Sequence, residues 1–309
     1  MKKVLITGGA GFIGSHLVEE LLKKGYKVCV LDNLLRGNKL PEKVMDNISF
    51  INGDVRDYEL VKNSTVGCNM IFHLSAYLGV DMVADEPIET MNIESFGTNN
   101  IVEAAIENNV EKIIYASTSG VYGKTAIEAS VKEDFIVDPR SSYSIAKRFN
   151  EILLAAYWQK KQLNSVSLRY FNVYGERQDN RMVIPRFFEQ AISNEPITVF
   201  GNGKQTRDFT YVKDVAKATV MLAENVSGCE IFNICGENEH SIYELGQLIK
   251  TLTKSSSEIS LIKMPGDRYD FEVERRSGDS SKLKSFINYF PQSTLENGLK
   301  NIYKNLNRD

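Results

Sequence analysis

A tyrosine and a lysine four residues apart form the pair of side chains in this sequence that is best suited to acid–base chemistry. Tyr143 and Lys147 fall in a stretch with helical periodicity, where residues at i and i+4 project from the same face. A free tyrosine has a pKa of about 10, which is too high for a base near neutral pH. Because an adjacent ammonium group stabilises the phenolate, Lys147 is expected to lower that pKa and make Tyr143 a general base. The alternative is an exposed helical pair without chemical function.

A run of hydroxyl residues, Ser117-Thr118-Ser119, follows a predicted strand at residues 112–116. Ligands of open α/β sheets bind at the carboxyl ends of the strands, so this run is a second candidate for the reacting site. Thr118 lies just beyond the predicted strand end, and its two neighbours leave the register of the candidate open by one residue. A hydroxyl that only satisfies the loop backbone is an interpretation that fits Ser117 and Ser119 better.

A glycine-rich turn follows the first predicted strand, with Gly8, Gly11 and Gly14 at intervals of three residues. Such spacing allows a tight turn, a backbone that can touch a pyrophosphate, and close packing of the next helix on the sheet. The pyrophosphate then lies at the positive N-terminus of that helix. The motif predicts a dinucleotide site, and a glycine-rich turn without a ligand is the alternative.

An acidic residue ends the second predicted strand, roughly 20 residues beyond the glycines. Asp32 stands where a carboxylate binds the ribose hydroxyls of a dinucleotide. Its charge repels a 2′-phosphate, so the sequence favours NAD over NADP, and Arg36 softens this preference without reversing it. The alternative for Asp32 is a solvated turn residue before Asn33.

The elements that must position these residues are short apolar runs alternating with amphipathic stretches. Strands are predicted at residues 4–7, 27–31, 48–52, 70–73, 112–116 and 166–170, and helices at 13–24 and 90–108. Near-continuous apolar runs are typical of parallel strands buried on both faces. The alternation predicts an α/β protein with a Rossmann-type doubly wound parallel sheet.

The pattern loosens after about residue 172, where short helical segments at 183–193 and 242–253 alternate with brief extended pieces. We expect a smaller α+β substrate-binding lobe in this region. The segment 211–236 contains a helical run and then a strand, and it is expected to return to the main sheet. The predicted domains are therefore 1–172 with 211–236, and 173–210 with 237–309.

The composition excludes several classes of protein. The 309 residues are 42% hydrophobic and 25% charged, which is typical of a globular chain and not of a disordered or fibrous one. Lys and Arg total 37 against 40 Asp and Glu, a balance without the long-range field that binds nucleic acid or an anionic membrane. The first apolar run is too short for a signal peptide or a membrane span, so a cytoplasmic protein is expected.

Cysteine and histidine spacing predicts neither a disulfide framework nor a metal site. The four cysteines are scattered without a CxxC pair, which favours reduced thiols. The three histidines, His16, His73 and His240, have no metal-ligand spacing. His73 is interpreted as a structural residue at the edge of the core.

Four motifs together resemble one family. They are Tyr143-Ser144-Ile145-Ala146-Lys147, Ser117-Thr118-Ser119-Gly120-Val121-Tyr122-Gly123, the run from Leu168 to Gly175, and the run from Thr206 to Val212. Their order resembles that of the extended short-chain dehydrogenase/reductases, specifically the nucleotide-sugar epimerase/dehydratase group that includes UDP-glucose 4-epimerase. The resemblance extends over residues 4 to about 283 and implies NAD as cofactor and a nucleotide-diphosphate sugar as substrate.

The resemblance also implies roles for particular residues. Tyr143, Lys147 and Thr118 correspond to the catalytic group, in which the threonine contacts the sugar 4-hydroxyl and Lys147 also binds the nicotinamide ribose. The positive nicotinamide ring is expected to stabilise the Tyr143 phenolate together with Lys147. Asp54 and Val55 correspond to residues that hold adenine. The implied cofactor-binding residues are Gly8, Gly11, Phe12, Ile13, Gly14, Asp32, Asn33, Asp54, Val55, Leu74, Ala76, Ser117, Tyr143, Lys147, Tyr170 and Val173.

The implied substrate-binding residues are Thr118, Asn172, Val199, Arg207 and Arg268. Arginine suits a diphosphate because its planar fork donates bidentate hydrogen bonds. The alternative for Arg207 is a surface ion pair with Asp208. Met264 stands where many relatives have a second arginine, and the candidates to replace that arginine are Lys263, Arg268, Arg275 and Arg276.

The branches of this group differ in the step that comes after oxidation at sugar C4. In relatives that are 4,6-dehydratases, Asp-Glu follows the threonine, and in glucuronate decarboxylases Ser-Glu follows it, whereas this chain has Ser119-Gly120. A 4-epimerase needs only the redox pair and room for the sugar to rotate, so we expect an epimerase. A 4,6-dehydratase, a decarboxylase, a net C4 dehydrogenase or reductase, and a non-catalytic NAD-binding regulator remain alternatives.

The resemblance further implies a homodimer formed by a four-helix bundle. The corresponding helices are predicted at residues 90–108 and 139–162. Leu153, Leu154, Tyr157 and Trp158 are candidates for its apolar surface, and packing of these side chains within the subunit is the alternative.

Overall fold

Buried strands alternate with helices in the computed structural model, which describes residues 1–77, 83, 85–124, 130–236, 238–263 and 273–307. The strands are β1 Lys3–Thr7, β2 Lys27–Asp32, β3 Ile48–Asn52, β4 Met70–His73, β5 Lys112–Thr118, β6 Asn164–Tyr170, β7 Val173–Tyr174, β8 Ile197–Phe200, β9 Thr206–Asp208, β10 Thr210–Tyr211, β11 Cys229–Ile234, β12 Glu239–Ser241, β13 Ile259–Ile262 and β14 Arg275–Arg276. The helices are α1 Phe12–Lys23, α2 Glu42–Met45, α3 Tyr58–Thr65, α4 Pro87–Glu107, α5 Ser142–Lys161, α6 Val183–Ile192, α7 Val212–Asn225, α8 Ile242–Thr253, α9 Ser281–Ile287 and α10 Leu295–Leu306.

The central sheet has seven strands in the order β11-β6-β5-β4-β1-β2-β3. Strands β1 to β6 pair in parallel with their neighbours, and Thr7 is in register with both Leu31 and His73. The strand order reverses between β1 and β4, where doubly wound sheets bind their ligands at the carboxyl ends. The predicted Rossmann-type α/β fold is confirmed.

Strand β5 is longer than its apolar run predicts. Its last two residues, Ser117 and Thr118, pair with Arg169 and Tyr170 of β6. Thr118 therefore closes the strand, whereas the sequence placed it just beyond the strand end. Hydroxyl residues carry no apolar signal, so their part in the ladder was missed.

The core between the sheet and helices α3, α4 and α5 consists of strand side chains and the inward faces of those helices. Leu5, Ile71 and Ile113 contribute from the strands, and Leu154 of α5 is fully buried in the same cluster. Leu154 consequently cannot supply interface surface, which corrects one of the four residues expected there. Tyr157 packs partly buried against this cluster, so it also serves the subunit's own core.

The chain divides into two compact units. The first comprises Met1–Val121, Pro139–Tyr170 and Ala216–Phe232, and it contains the central sheet apart from the last residues of β11. The second comprises Tyr122–Asp138, Phe171–Val215 and Asn233–Asp309, with small sheets that pair β8 with β13, β7 with β10, and β9 with both β12 and β14. Among the residues that the structure describes, no helix has both the length and the apolar character needed to cross a membrane.

Candidate active site

The glycine-rich turn between β1 and α1 packs backbone directly on backbone. Gly8 has φ +70°, and a Cβ there would lie 2.7 Å from the Ser75 nitrogen. A Cβ on Gly14 would lie 2.1 Å from the Gly8 oxygen, and one on Gly11 would lie 3.2 Å from it. Helix α1, which begins with Phe12 and Ile13, has no side-chain cap and no acidic residue in its first turn. Its N-terminus is therefore suited to a phosphate.

Asp32 holds this turn from the end of β2. Its Oδ2 accepts a hydrogen bond from Ala10 N at 2.9 Å, and its Oδ1 accepts one from Leu34 N at 2.8 Å. Burial raises the pKa of Asp32, and these two amide bonds oppose that shift. Asn33 Nδ2 donates to Asp54 Oδ2 at 3.4 Å, so the structure brings together three of the predicted cofactor residues.

The charge of Asp32 is expected to set the choice between NAD and NADP. In Asp32→Asn the side chain still accepts one amide bond but no longer repels a 2′-phosphate. We expect the preference for NAD over NADP, measured as the ratio of the two Kd values, to fall about tenfold, equivalent to about 1.4 kcal/mol. Asp46→Asn, the same change at an exposed carboxylate after α2, is the control. An unchanged ratio in Asp32→Asn would contradict the assignment.

The adenine-side residues Asp54 and Val55 differ in exposure. The Arg56 guanidinium bonds to the Asp54 carboxylate at 2.9 and 3.0 Å and holds its pKa below the usual value. Val55 is buried in the core, where its side chain packs against Gly97.

The segment after β4 is fixed to β1 by a hydrogen-bonded histidine. His73 Nδ1 lies 2.7 Å from Thr7 Oγ1, and His73 Nε2 lies 3.0 Å from Thr98 Oγ1. Burial and the nearby Lys147 lower the pKa of His73 to about 3, so the ring is neutral. This agrees with its interpretation as a structural residue. The bond from Leu74 N to Thr7 O, at 3.0 Å, carries the predicted Leu74–Ala76 segment past the glycine turn.

A capping box begins α5 and places Tyr143 in its first turn. Ser141 Oγ accepts from Ser144 N at 3.1 Å, and Ser144 Oγ accepts from Ser141 N at 3.0 Å. Such reciprocal bonds satisfy two backbone amides that a helix end leaves free. A Cβ on Gly120 would lie 3.3 Å from Thr118 Oγ1 and 3.4 Å from Ser144 Cβ. The end of β5 and the first turn of α5 thus adjoin.

The hydroxyls of Ser117 and Thr118 have the opposite partners from those expected. Thr118 Oγ1 accepts from Gly120 N at 3.0 Å, so Thr118 satisfies the loop backbone. Ser117 Oγ is buried and donates to Glu151 Oε1 at 2.6 Å. Thr118 uses only an acceptor position for Gly120, and its own hydrogen remains available for donation.

Lys147 is buried and paired with Glu94 of α4. The Lys147 Nζ to Glu94 Oε2 distance is 3.0 Å, and Nζ lies 5.4 Å from the centre of the Tyr143 ring. Burial and the charge of Glu94 raise the pKa of Tyr143 well above its usual value. In the protein without cofactor, Lys147 alone therefore does not offset burial and the charge of Glu94. The expected stabilisation of the phenolate by Lys147 together with the nicotinamide ring stays a prediction.

Sequence reasoning missed Glu94, although a signal was present. On α4, Thr90, Glu94, Thr98 and Ile101 are all buried at helical spacing. A carboxylate on the inward face of a helix is rarely found without a charged partner. The position of Glu94 on the buried face of the helix was therefore the signal that it has a charged partner.

A second buried ion pair joins β6 to α5. Arg169 of β6 donates from Nε and Nη2 to the two oxygens of Glu151, at 2.9 and 2.8 Å. Although burial raises the pKa of Glu151, the bonds from Arg169 hold it below its usual value. Tyr170, a predicted cofactor residue, is buried with its hydroxyl 3.0 Å from Thr219 Oγ1 of α7.

The predicted substrate residues belong to the second unit, apart from Thr118. Asn172 has φ +28°, and its Nδ2 donates to Asp208 O, which places it beside Arg207 in β9. Asp208 is fully buried and accepts from Gly236 N at 3.2 Å. Val199 is buried in a different sheet, where it pairs with Leu261.

The remaining predicted residues are Val173 and the candidates for a second phosphate contact. Val173 lies in β7 of the second unit. Arg268 lies outside the described residues. Of the other candidates, Arg275 is bound by both carboxylate oxygens of Glu239 at 2.7 and 2.8 Å. No cluster of three or more His, Cys, Asp or Glu side chains in the described chain is arranged to hold a metal ion.

Comparison with known proteins gives one family. The model of the NAD dependent epimerase/dehydratase family matches residues 4–235. The chain is 39% identical to the UDP-N-acetyl-alpha-D-glucosaminuronate decarboxylase of Bacillus cytotoxicus, over 97% of this chain and 96% of that protein. The UDP-glucose 4-epimerase of Thermotoga maritima, solved with UDP-glucose, is similar with a TM-score of 0.92, 32% identity and 99% of each chain covered. The UDP-glucose 4-epimerase of Thermus thermophilus, solved with NAD, gives 0.90, 30% and 99% of each chain.

Proposed function

Because the chain belongs to the NAD-dependent epimerase/dehydratase family, we propose that it is a 4-epimerase of nucleotide-diphosphate sugars. The observation that carries the proposal is the end of β5. Gly120 lies against both Thr118 and Ser144 of the first turn of α5, and the two positions after Thr118, Ser119 and Gly120, hold no carboxylate. The site therefore has the residues for oxidation at C4 without the acid–base pair that eliminates water.

NAD is the cofactor of this family, and the residues of the first unit fit a dinucleotide. A Cβ would collide with backbone at Gly8 and Gly14, so the turn leaves bare backbone at the uncapped N-terminus of α1. We assign the pyrophosphate to this turn, the adenosine ribose to Asp32, and the nicotinamide ribose to Lys147. When bound, NAD supplies a reversible acceptor for the hydride of sugar C4.

Proton transfer is assigned to Tyr143. Its phenolate oxygen removes the proton from the sugar 4-hydroxyl as C4 is oxidised. Thr118 donates its hydroxyl hydrogen to the sugar 4-oxygen, while its own oxygen accepts from Gly120 N. For epimerisation the 4-keto sugar must present its opposite face, and Tyr143 then returns the proton. Asn172 and Arg207 are proposed to bind the diphosphate.

A decarboxylase is the second candidate, and the 39% identical relative from Bacillus cytotoxicus favours it. Oxidation at C4 of a sugar with a C6 carboxylate produces a β-keto acid. Such an acid loses CO₂ without an added general acid at the breaking bond, so the absence of a carboxylate at Gly120 does not exclude this outcome. The substrate then decides between the two reactions.

A substrate panel followed by NMR tests the proposal. UDP-glucose, UDP-GlcNAc, UDP-glucuronate and UDP-N-acetylglucosaminuronate are each incubated with the enzyme. Appearance of the C4 epimer without net NADH formation is the expected result. A 4-keto-6-deoxy product would show a dehydratase, a pentose product with CO₂ release a decarboxylase, and stoichiometric NADH a net dehydrogenase. NAD binding without turnover of any substrate would favour the regulator.

We also propose that two copies pair through α4 and α5. Ile145, Phe149 and Ile152 form an exposed apolar stripe on α5, and Phe96 of α4 is 62% exposed. Exposed apolar patches of this kind mark interaction surfaces, and a twofold axis would bury the same patch on each copy. These residues replace Leu154 in the expected interface.

Phe149→Glu is expected to convert the dimer to a monomer at micromolar concentration, because it places a charge in the buried centre of the patch. Sedimentation velocity measures the change. Ile192→Glu is the matched control, since Ile192 of α6 is 49% exposed and Phe149 is 50% exposed. A wild-type protein that sediments as a monomer would remove the proposal.

A further inference from the structure

Glu94 is held in place by partners from several elements. Its Oε1 accepts from Tyr77 N at 3.2 Å, and its backbone oxygen accepts from Asn150 Nδ2 of α5 at 3.0 Å. Among the described residues its Oε2 accepts no hydrogen bond of standard geometry, although it lies 3.0 Å from Lys147 Nζ. The side chains of Glu94 and Lys147 are 0% and 1% exposed, respectively. Burial raises the pKa of Glu94, and the Lys147 ammonium and the Tyr77 amide oppose that shift. The carboxyl group is therefore held facing the ammonium that favours its charged form.

The other titratable groups near Tyr143 are neutral or paired. Tyr115 of β5 has a pKa well above its usual value because it is buried, and His73 of β4 is neutral. Glu151 of α5 is bound by Arg169. Of the charged groups beside Tyr143, Glu94 raises its pKa and Lys147 Nζ lies 5.4 Å from its ring centre.

We propose that Glu94 is a positioning residue that anchors the Lys147 ammonium and offsets its charge, so that Tyr143 keeps its proton until another positive charge is bound nearby. The proposal rests on the proposed function, in which Tyr143 is the base. A buried ion pair contributes little net stability compared with apolar side chains, so a stabilising role alone is a weak explanation for it. Because the opposite charges of Lys147 and Glu94 offset each other, the pKa of Tyr143 depends on the charge of the bound cofactor.

The consequence concerns the two oxidation states of the cofactor. The oxidised nicotinamide carries a positive charge and the reduced ring carries none. With the Lys147 charge offset, the ring charge is what favours the phenolate. Tyr143 is then a base when the oxidised form is present and an acid when the reduced form is present, as a reaction that runs in both directions requires.

Glu94→Gln tests this by removing the charge while keeping the shape. Tyr143 ionisation is followed by tyrosinate absorbance in the full chain freed of NAD, as the difference between each protein and its Tyr143→Phe counterpart. The midpoint is expected to fall by about one to two pH units in Glu94→Gln, because Lys147 then acts unopposed. Glu94→Asp keeps the charge and is expected to titrate close to the wild type. An unchanged midpoint in Glu94→Gln, or an equal fall in Glu94→Asp, would overturn the proposal.

Two further readouts keep the test decisive. Near-UV circular dichroism reports whether Glu94→Gln is folded, and a variant that only melts earlier with an unmoved midpoint shows a structural role instead. If it does not fold, the wild-type titration decides: a midpoint above that of free tyrosine, about 10, is expected, and one at or below it would overturn the proposal. The absorbance needs no substrate, so its result stands apart from that of the substrate panel.

Discussion

Tyr143→Phe is expected to lower kcat about a thousandfold, within the range found for removal of a general acid–base group. The substitution removes the phenol oxygen and keeps the ring that packs beside Lys147, whose Nζ lies 5.4 Å from the ring centre. Because the other proposed cofactor and substrate residues are unchanged, KM and NAD content are expected to change less than about threefold. The loss then appears in kcat, as expected for an interaction made in the transition state.

Steady-state kinetics on the substrate identified by the panel measures this effect. Tyr157→Phe is the matched control, since Tyr157 stands on the same helix and its hydroxyl donates to Glu103. That variant is expected to retain wild-type kcat. If Tyr143→Phe kept more than about a tenth of the wild-type rate, Tyr143 would not be the base.

Gly14→Ala is expected to abolish NAD binding and to lower the free energy of unfolding by about 3 kcal/mol, the upper part of the usual range for over-packing. The added Cβ would lie 2.1 Å from Gly8 O and 2.7 Å from Gly9 Cα, and both are backbone atoms without a rotamer to change. Relief requires that α1 move away from the turn. The same movement displaces the backbone assigned to the pyrophosphate.

Calorimetric titration with NAD and chemical denaturation measure the two effects. Gly246→Ala is the control because Gly246 also lies in a helix, α8, but its Cβ would have nothing closer than 3.6 Å. Replacing a helical glycine by alanine without a clash adds roughly 0.5–1 kcal/mol of stability. Wild-type NAD affinity in Gly14→Ala would remove the turn from the cofactor site.

Much of the fold could be predicted because its strands and helices carry strong local signals. Ile48–Asn52, Met70–His73 and Ile242–Thr253 were predicted with the bounds that the structure has. These segments are apolar runs or periodic stripes bounded by polar residues, so their ends are visible in the sequence. The end of β5 was not, because Ser117 and Thr118 stay in the ladder through backbone bonds that any residue type can make.

The candidate site also has features that the sequence reveals and one that it does not. The pairing of Tyr143 with Lys147 and the spacing of the glycines each arise within one element, so sequence spacing reveals them. The pKa of Tyr143 depends on a third residue, Glu94, whose position relative to Lys147 comes from the packing of α4 against α5. Sequence reasoning therefore predicted the candidate reacting groups but not the carboxylate that, together with burial, raises the pKa of Tyr143 in the protein without cofactor.

The capping box at the start of α5 has a consequence beyond the shape of the helix. It keeps Tyr143 in the first turn, where the aligned peptide dipoles of α5 present their positive end. An anion in the first turn of a helix gains about 0.5 kcal/mol from that dipole. Fraying of this turn would displace the Tyr143 oxygen and would also weaken the stabilisation of its phenolate by the helix dipole. The acidity of Tyr143 and the order of one helical turn are thus coupled through Ser141 and Ser144, two residues to which no chemical step is assigned.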